Sequence, residues 1–137
     1  MEFTIDPQGI WYHGSNKVFE VLEEGSTITQ WKELAEAFSH KPSILAIDDD
    51  YSIYHNGKEY GYLYVVDEPV EIGKDIYAHP GTTMDKNLEF LTKRKIKVKM
   101  IADVGLPNEE HLKLSEEKFN QWLSGRTGDC KNFVYEK

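Results

Sequence analysis

The stretch Ile10-Trp11-Tyr12-His13-Gly14-Ser15 joins an apolar, partly aromatic run to a histidine, a glycine and a hydroxyl. The apolar residues favour a pleated backbone and predict a strand over residues 9–13. Gly14 would let another molecule approach the main chain, and Ser15 supplies a small donor and acceptor. The pattern indicates either a ligand cradle or a plain strand end followed by a turn.

Composition restricts the class of protein. The 137 residues are 39% hydrophobic, which suits one domain over 1–137 with a modest core. The net charge of -8 disfavours binding of extended nucleic acid, and the basic segment Lys93–Lys99 alternates with apolar residues like the solvent face of a strand. Cys130, the single cysteine, excludes an internal disulfide. With no long apolar run and no signal-peptide pattern, we expect a cytoplasmic protein that does not bind membranes.

Local patterns predict an α+β fold with a mainly antiparallel sheet. Trp31, Leu34, Ala35 and Phe38 form the apolar stripe of a helix over 30–38, with Thr29 as its N-cap. A second helix is predicted over 116–124, capped by Ser115 and ended by Gly125. Asn56-Gly57 predicts a hairpin. The strands are expected at 26–29, 43–48, 51–55, 60–66, 76–79 and 95–104, with connections at 14–25 and 85–92 and an extended tail from 126.

Several familiar sites have no counterpart in the sequence. The five histidines never have the close spacing of a zinc site, and neither a P-loop nor a Rossmann glycine motif is present. The nucleophile elbow of serine hydrolases is also missing. Cys130 lies in a charged tail, which is a poor setting for a nucleophile.

Three segments occur in an informative order: His13-Gly14-Ser15, then 25–29 leading into a helix, then 87–91 before a long strand. In this order the chain resembles the ADP-ribosyltransferase fold of poly-ADP-ribose polymerases, diphtheria-type toxins and rifampicin-modifying enzymes, whose first strand ends in Tyr-His-Gly-Ser/Thr. The resemblance covers about residues 10–104. It implies two small, mainly antiparallel β-sheets packed around an NAD cleft, with few short helices.

The resemblance also implies roles for single residues. His13 would bond a ribose hydroxyl of NAD, Gly14 would offer its backbone to the nicotinamide carboxamide, and Ser15 would support the ribose or the turn. Glu89 would be the catalytic acid, because a carboxylate near the ribose stabilises the positive charge that develops as nicotinamide leaves. The second motif would add Thr27 and Thr29 to the NAD site.

Other positions depart from the family or leave alternatives open. The usual stacking tyrosine is missing, so either Trp31 or Phe38 would stack on nicotinamide. Asn87 stands where arginine-specific relatives have Glu or Gln, so arginine modification is not supported. Glu71 or Asp75 could replace Glu89 as the acid, and residues 79–82 could form a loop over the substrate or an ordinary turn.

Three functional hypotheses follow from these observations. The first is transfer of ADP-ribose from NAD to an unknown protein or small-molecule acceptor, a short nucleic-acid end or free nucleotide included. The second is a non-catalytic module of the same fold that binds nucleotides or proteins. The third is a different β-rich fold in which His13-Gly14-Ser15 is accidental.

Overall fold

A computed structural model describes residues 4–48, 50–82, 87–125 and 132–135, with the backbone alone described at 123–125 and 132–135. Two helices lie in this part of the chain, α1 (Lys32–Ser39) and α2 (Glu109–Gly125). Its strands are β1 (Tyr12–Ser15), β2 (Val21–Leu22), β3 (Thr27–Ile28), β4 (Ile44–Ile47), β5 (Ile53–His55), β6 (Gly61–Val66), β7 (Ile76–Ala78), β8 (Phe90–Thr92), β9 (Ile96–Gly105) and β10 (Asn132–Tyr135). Neither of these helices has the length and apolarity needed to cross a membrane.

The named strands form three antiparallel groups within the described residues. Their orders are β1-β6-β9-β2, β10-β4-β5 and β3-β8-β7. An isolated bridge between Tyr12 and Thr29 joins the first group to the third. The predicted α+β class with mainly antiparallel strands is confirmed.

The buried apolar side chains form two clusters. One lies between the first and third strand groups and includes Trp11, Ile28, Tyr64 and Phe90. The second lies beneath α1, where the predicted stripe delivers Leu34 and Phe38 against β4. Burying each such side chain stabilises the fold by about 1.5–3 kcal/mol.

The first strand and the first helix begin later than predicted. β1 includes Gly14 and Ser15, since its pairing with β6 continues as far as Ser15. His13-Gly14-Ser15 is therefore part of a strand and does not follow one. The N-cap of α1 is Trp31, whose backbone N–H donates to Oγ1 of Thr29 at 3.1 Å, so the predicted cap at Thr29 is wrong by two residues.

The hairpin predicted at Asn56-Gly57 is wrong. β5 pairs with β4, whereas β6 pairs with β1 and β9, so the chain leaves one sheet and enters another at this point. Oδ1 of Asn56 instead accepts hydrogen bonds from the backbone N–H groups of Ser43 and Ile44, at 2.9 Å each. Non-local pairing has overridden a local turn signal.

Two predicted connections contain short strands, and one helix is longer than predicted. β2 lies within 14–25 and β8 within 85–92. α2 begins at Glu109 because Oδ1 of Asn108 accepts from the N–H groups of Glu110 and His111. Ser115 is therefore buried inside the helix, not at its cap, and its hydroxyl accepts the backbone N–H of His55 at 3.2 Å.

The expected end of the second helix and the extended tail agree with the structure where it is described. α2 ends at Gly125, and β10 adds to the edge of β4. Cys130 and the tail positions 126–131, 136 and 137 lie outside the described residues.

Candidate functional site

A cavity of about 330 Å³ lies where β1 and β3 meet the inner side of α1. Its volume is at the lower end of the range of about 300–1,000 Å³ that small-molecule sites occupy. The six residues predicted to bind the cofactor all line it: His13, Gly14, Ser15, Thr27, Thr29 and Phe38. The remaining lining residues are Tyr12, Phe19, Val21, Leu22, Glu23, Ser26, Ala35 and Lys41.

The backbone of β1 has an open edge at the cavity. Tyr12 exchanges both of its backbone hydrogen bonds with Thr29, at 2.7 and 3.0 Å, and the two strands then separate. Hydrogen-bonding direction alternates along a strand, so His13 faces β6 and Gly14 faces the side of β3 again. The N–H and C=O groups of Gly14 are thus directed to the gap between the strands, where a ligand could pair with them.

The ring of His13 occupies part of this gap and has a fixed tautomer. Its Nδ1 lies 2.7 Å from the carbonyl oxygen of Thr27. A carbonyl only accepts, so Nδ1 carries the proton. Burial, opposed by this hydrogen bond and assisted by the nearby charge of Lys41, lowers the pKa of His13 to about 4. At neutral pH the ring is therefore uncharged, and Nε2 is an acceptor with no partner in the described part of the chain.

Gly14 meets a different neighbour from the one expected. A Cβ at this position would lie 1.7 Å from the carbonyl oxygen of Ala35 and 2.8 Å from the backbone nitrogen of Ser39. The residue is therefore required for close packing of α1 on the face of β1. Its open backbone edge lies in the plane of the sheet, so packing and ligand binding are separate consequences of the same glycine.

The other predicted binding residues have clear structural partners. Ser15 is buried, and its hydroxyl accepts the N–H of Lys17 at 3.1 Å, which matches the alternative in which it supports the turn. Of the two candidate stacking residues, Phe38 lines the cavity and Trp31 does not. Phe19, missed in the sequence, adds a second phenyl ring that stacks on Tyr64 with centroids 4.6 Å apart.

Glu89, the predicted acid, is not among the residues that line the cavity. It is 2% exposed, and its Oε1 accepts a 2.6 Å hydrogen bond from the hydroxyl of Thr82. Ile28 pairs with Phe90 across β3 and β8, so Glu89 is one register step further, beside Thr29 and on the same sheet face. The acid is therefore adjacent to a cavity residue, and its carboxylate is buried and bonded to Thr82.

The two substitute acids, Glu71 and Asp75, also lie outside the cavity lining. Asp75 pairs with Arg94 at 2.8 Å and accepts the backbone N–H of Glu71, and neither acid lines the cavity. The carboxylate that does line it is Glu23, which the sequence reasoning missed. Its side chain is 75% exposed and lies 3.9 Å from Lys95. Only the fold, which turns the end of β2 towards the cavity, identifies this residue.

The loop at 79–82 has the internal bonds of a tight turn. The N–H of Gly81 donates to Nδ1 of His79 at 3.0 Å, and the N–H of Thr82 donates to the His79 carbonyl at 3.4 Å. None of these residues lines the cavity. Closure of this loop over a substrate remains a prediction.

A second cavity, of about 630 Å³, lies on the other side of α1. Three imidazoles meet there: the rings of His40 and His55 are 5.5 Å apart, and those of His55 and His111 are 4.7 Å apart. Burial, assisted by the charges of His111 and His40, lowers the pKa of His55 to about 3. In the described residues no group of three histidine, cysteine or acidic side chains is arranged to hold a metal ion. Sequence spacing gave no hint of this cluster, because three separate elements supply it.

Comparisons with known proteins leave the chain without an assigned family. No family model matches the sequence, and no curated protein or solved structure matches it. Function therefore has to be argued from the site itself.

Proposed function

We propose that this protein binds NAD in the cavity between β1, β3 and α1 and transfers ADP-ribose from it to an acceptor. The observation that carries the proposal is the meeting of His13, Gly14, Thr27 and Phe38 around one cavity of nucleoside size. The resemblance of the sequence to ADP-ribosyltransferases implies a role in NAD binding for all four of these residues. An accidental motif gives no reason for them to share a cavity.

The site offers complementary partners to the nicotinamide riboside half of NAD. The open backbone edge of Gly14 can pair with both the oxygen and the nitrogen of the carboxamide. The uncharged ring of His13 can accept a ribose hydroxyl through Nε2. Phe38 or Phe19, which both line the cavity, supplies an apolar surface for the pyridinium ring.

In the transfer step, the bond between C1′ of the ribose and the nicotinamide nitrogen breaks, and the electron pair leaves with nicotinamide. An acceptor nucleophile forms a new bond to C1′ and loses its proton to a base. Glu89 is our candidate for this base and for the carboxylate that stabilises the charged ribose. For this role its bond to Thr82 must open, because the carboxylate is enclosed.

A second candidate function is NAD binding without transfer. It is favoured by one observation, the burial of Glu89 away from the cavity with its Oε1 bonded to Thr82. In such a protein Glu89 would hold the loop at 79–82 in position and take no part in chemistry.

Calorimetric titration with NAD tests the binding proposal. We expect saturable binding, which His13→Asn weakens about 5–10-fold, because the asparagine amide can still donate to the Thr27 carbonyl but the Nε2 acceptor is gone. Thermal unfolding of the variant serves as the control for folding. Absence of NAD binding by the wild-type protein would overturn both candidate functions.

Nicotinamide release, followed by chromatography with candidate acceptors, separates the two candidates. Transfer predicts that Glu89→Gln lowers the turnover rate about 10²–10³-fold with little change in NAD affinity. Glu116→Gln, at an exposed site on α2, is the matched control and should leave both unchanged. NAD binding without any release of nicotinamide would favour the binding module.

A further inference from the structure

Lys41 stands at a backbone position that glycine normally fills. It follows the C-terminus of α1, its N–H donates to the carbonyl of Phe38 at 3.0 Å, and its φ is +53°. This left-handed conformation costs free energy for a residue with a Cβ, and helices commonly use glycine there. Pro42 follows at once and prevents the helix from continuing. Lysine at this position therefore has a conformational cost that glycine would avoid, and the end of the helix does not require a lysine.

Lys41 is one of the residues that line the cavity of the proposed NAD site. Burial lowers the pKa of Lys41, and the charge of Lys17 lowers it further; the charge of Lys41 in turn adds to the effect of burial in lowering the pKa of His13. Lys17 is held beside the cavity by its backbone, since its N–H donates to Ser15 and its carbonyl accepts the hydroxyl of Tyr64 at 2.6 Å. The backbone of Lys17 is thus fixed next to Ser15, a cavity residue, although Lys17 itself is not among the residues that line the cavity.

Neither of these lysines forms an ion pair within the described chain. By contrast, Arg94 contacts both Glu68 and Asp75, and Lys95 lies near Glu23. Unpaired neighbouring cations repel each other, which destabilises the folded protein unless an anion lies between them. The chain has a net charge of -8, so the lack of an acidic partner for these two lysines among the described residues does not come from a shortage of carboxylates.

We infer that Lys41 and Lys17 form a binding site for the diphosphate group of the ligand that occupies this cavity. This inference rests on the proposed NAD site and adds the residues that recognise the phosphates. The two ammonium groups would each contact one phosphate. Glu23, the carboxylate that also lines the cavity, belongs to the turn after β2, where Lys95 offsets its charge.

Titration of the full chain with inorganic pyrophosphate, and separately with NAD, tests the inference. We expect Lys41→Gly to weaken pyrophosphate and NAD binding at least about 10-fold, because one charge-assisted contact is lost. The same variant should melt at the wild-type temperature or about 2–4 °C higher, since glycine relieves the left-handed backbone. Lys17→Gln should weaken binding as well, and its melting temperature should equal or slightly exceed that of the wild type, because it removes the repulsion between the two lysines. Lys113→Gln, an equal charge change at an exposed site on α2, is the control and should alter neither affinity.

The outcomes distinguish this inference from the function on which it rests. Pyrophosphate binding that depends on Lys41, together with no binding of NAD, would keep the anion site and remove the proposed function. NAD binding of equal strength in Lys41→Gly and wild type would keep the proposed function and remove the anion site. Equal losses in Lys113→Gln and Lys41→Gly, or no pyrophosphate binding by the wild type at about 10 mM, would also overturn the anion site.

Discussion

Replacing Gly14 by alanine tests whether packing against α1 or access for a ligand determines this position. The new methyl carbon would lie 1.7 Å from the Ala35 carbonyl oxygen, about half of an ordinary van der Waals separation of about 3.5 Å. The obstruction is helix backbone, which cannot rotate away like a side chain. α1 would therefore have to retreat on the order of 1–2 Å and loosen Leu34 and Phe38 in the cluster beneath it.

We expect Gly14→Ala to lower the free energy of unfolding by about 3 kcal/mol or more, or the melting temperature by about 10 °C. Gly25→Ala is the matched control, because Gly25 has a φ of +86° but no atom within 4 Å of an added Cβ. Its loss should be about 1 kcal/mol, from backbone strain alone. Circular dichroism during thermal and urea unfolding measures both. A loss in Gly14→Ala no larger than that in Gly25→Ala would refute the packing argument.

Two further predictions concern the protonation of two histidines and the hydrogen bonds of one asparagine. The pKa values of His13 and His55 fall from 6.5 to about 4 and about 3 on folding, so the unfolded chain binds more protons below pH 6.5. The free energy of unfolding should therefore be highest above pH 6.5 and decrease towards pH 4. The decrease should be up to about 1.4 kcal/mol per pH unit for each histidine. A urea midpoint that is equal at pH 7 and pH 5 would contradict this. Asn56→Ala should cost about 1–2 kcal/mol in urea unfolding, since it leaves the N–H groups of Ser43 and Ile44 without their acceptor, and an unchanged midpoint would show that water replaces it.

The parts of the fold that depend on local pattern were predictable. The stripe from Leu34 to Phe38 gives α1, and the alternation after Lys95 gives β9, because each is long enough to show a period. β2 and β8 contain two and three residues, too few for any period, and they form because longer strands pair with them. Asn56-Gly57 shows the opposite failure, in which a strong local signal yields to pairing between distant strands.

The candidate site also contains residues that the sequence predicted and residues whose position depends on long-range packing. The resemblance implied that His13 and Thr27 belong to one site, and one hydrogen bond joins them in the structure. The enclosure of Glu89 by Thr82 and the approach of Lys41 to the cavity depend on how loops pack, which spacing in the sequence does not record. Sequence thus predicted six of the residues that line the cavity and missed others, among them Phe19, Glu23 and Lys41.

Because Gly14 packs against Ala35, the presence of His-Gly in another sequence indicates a shared architecture and not necessarily a shared function. Any descendant that keeps α1 against β1 must keep this glycine, whether or not it binds a nucleotide. Selection for folding alone would retain Gly14 and allow Lys41 to be replaced by glycine, whereas selection for anion binding would retain both. Lysine at position 41 is therefore the better marker of a functional lineage, and the glycine marks only shared architecture.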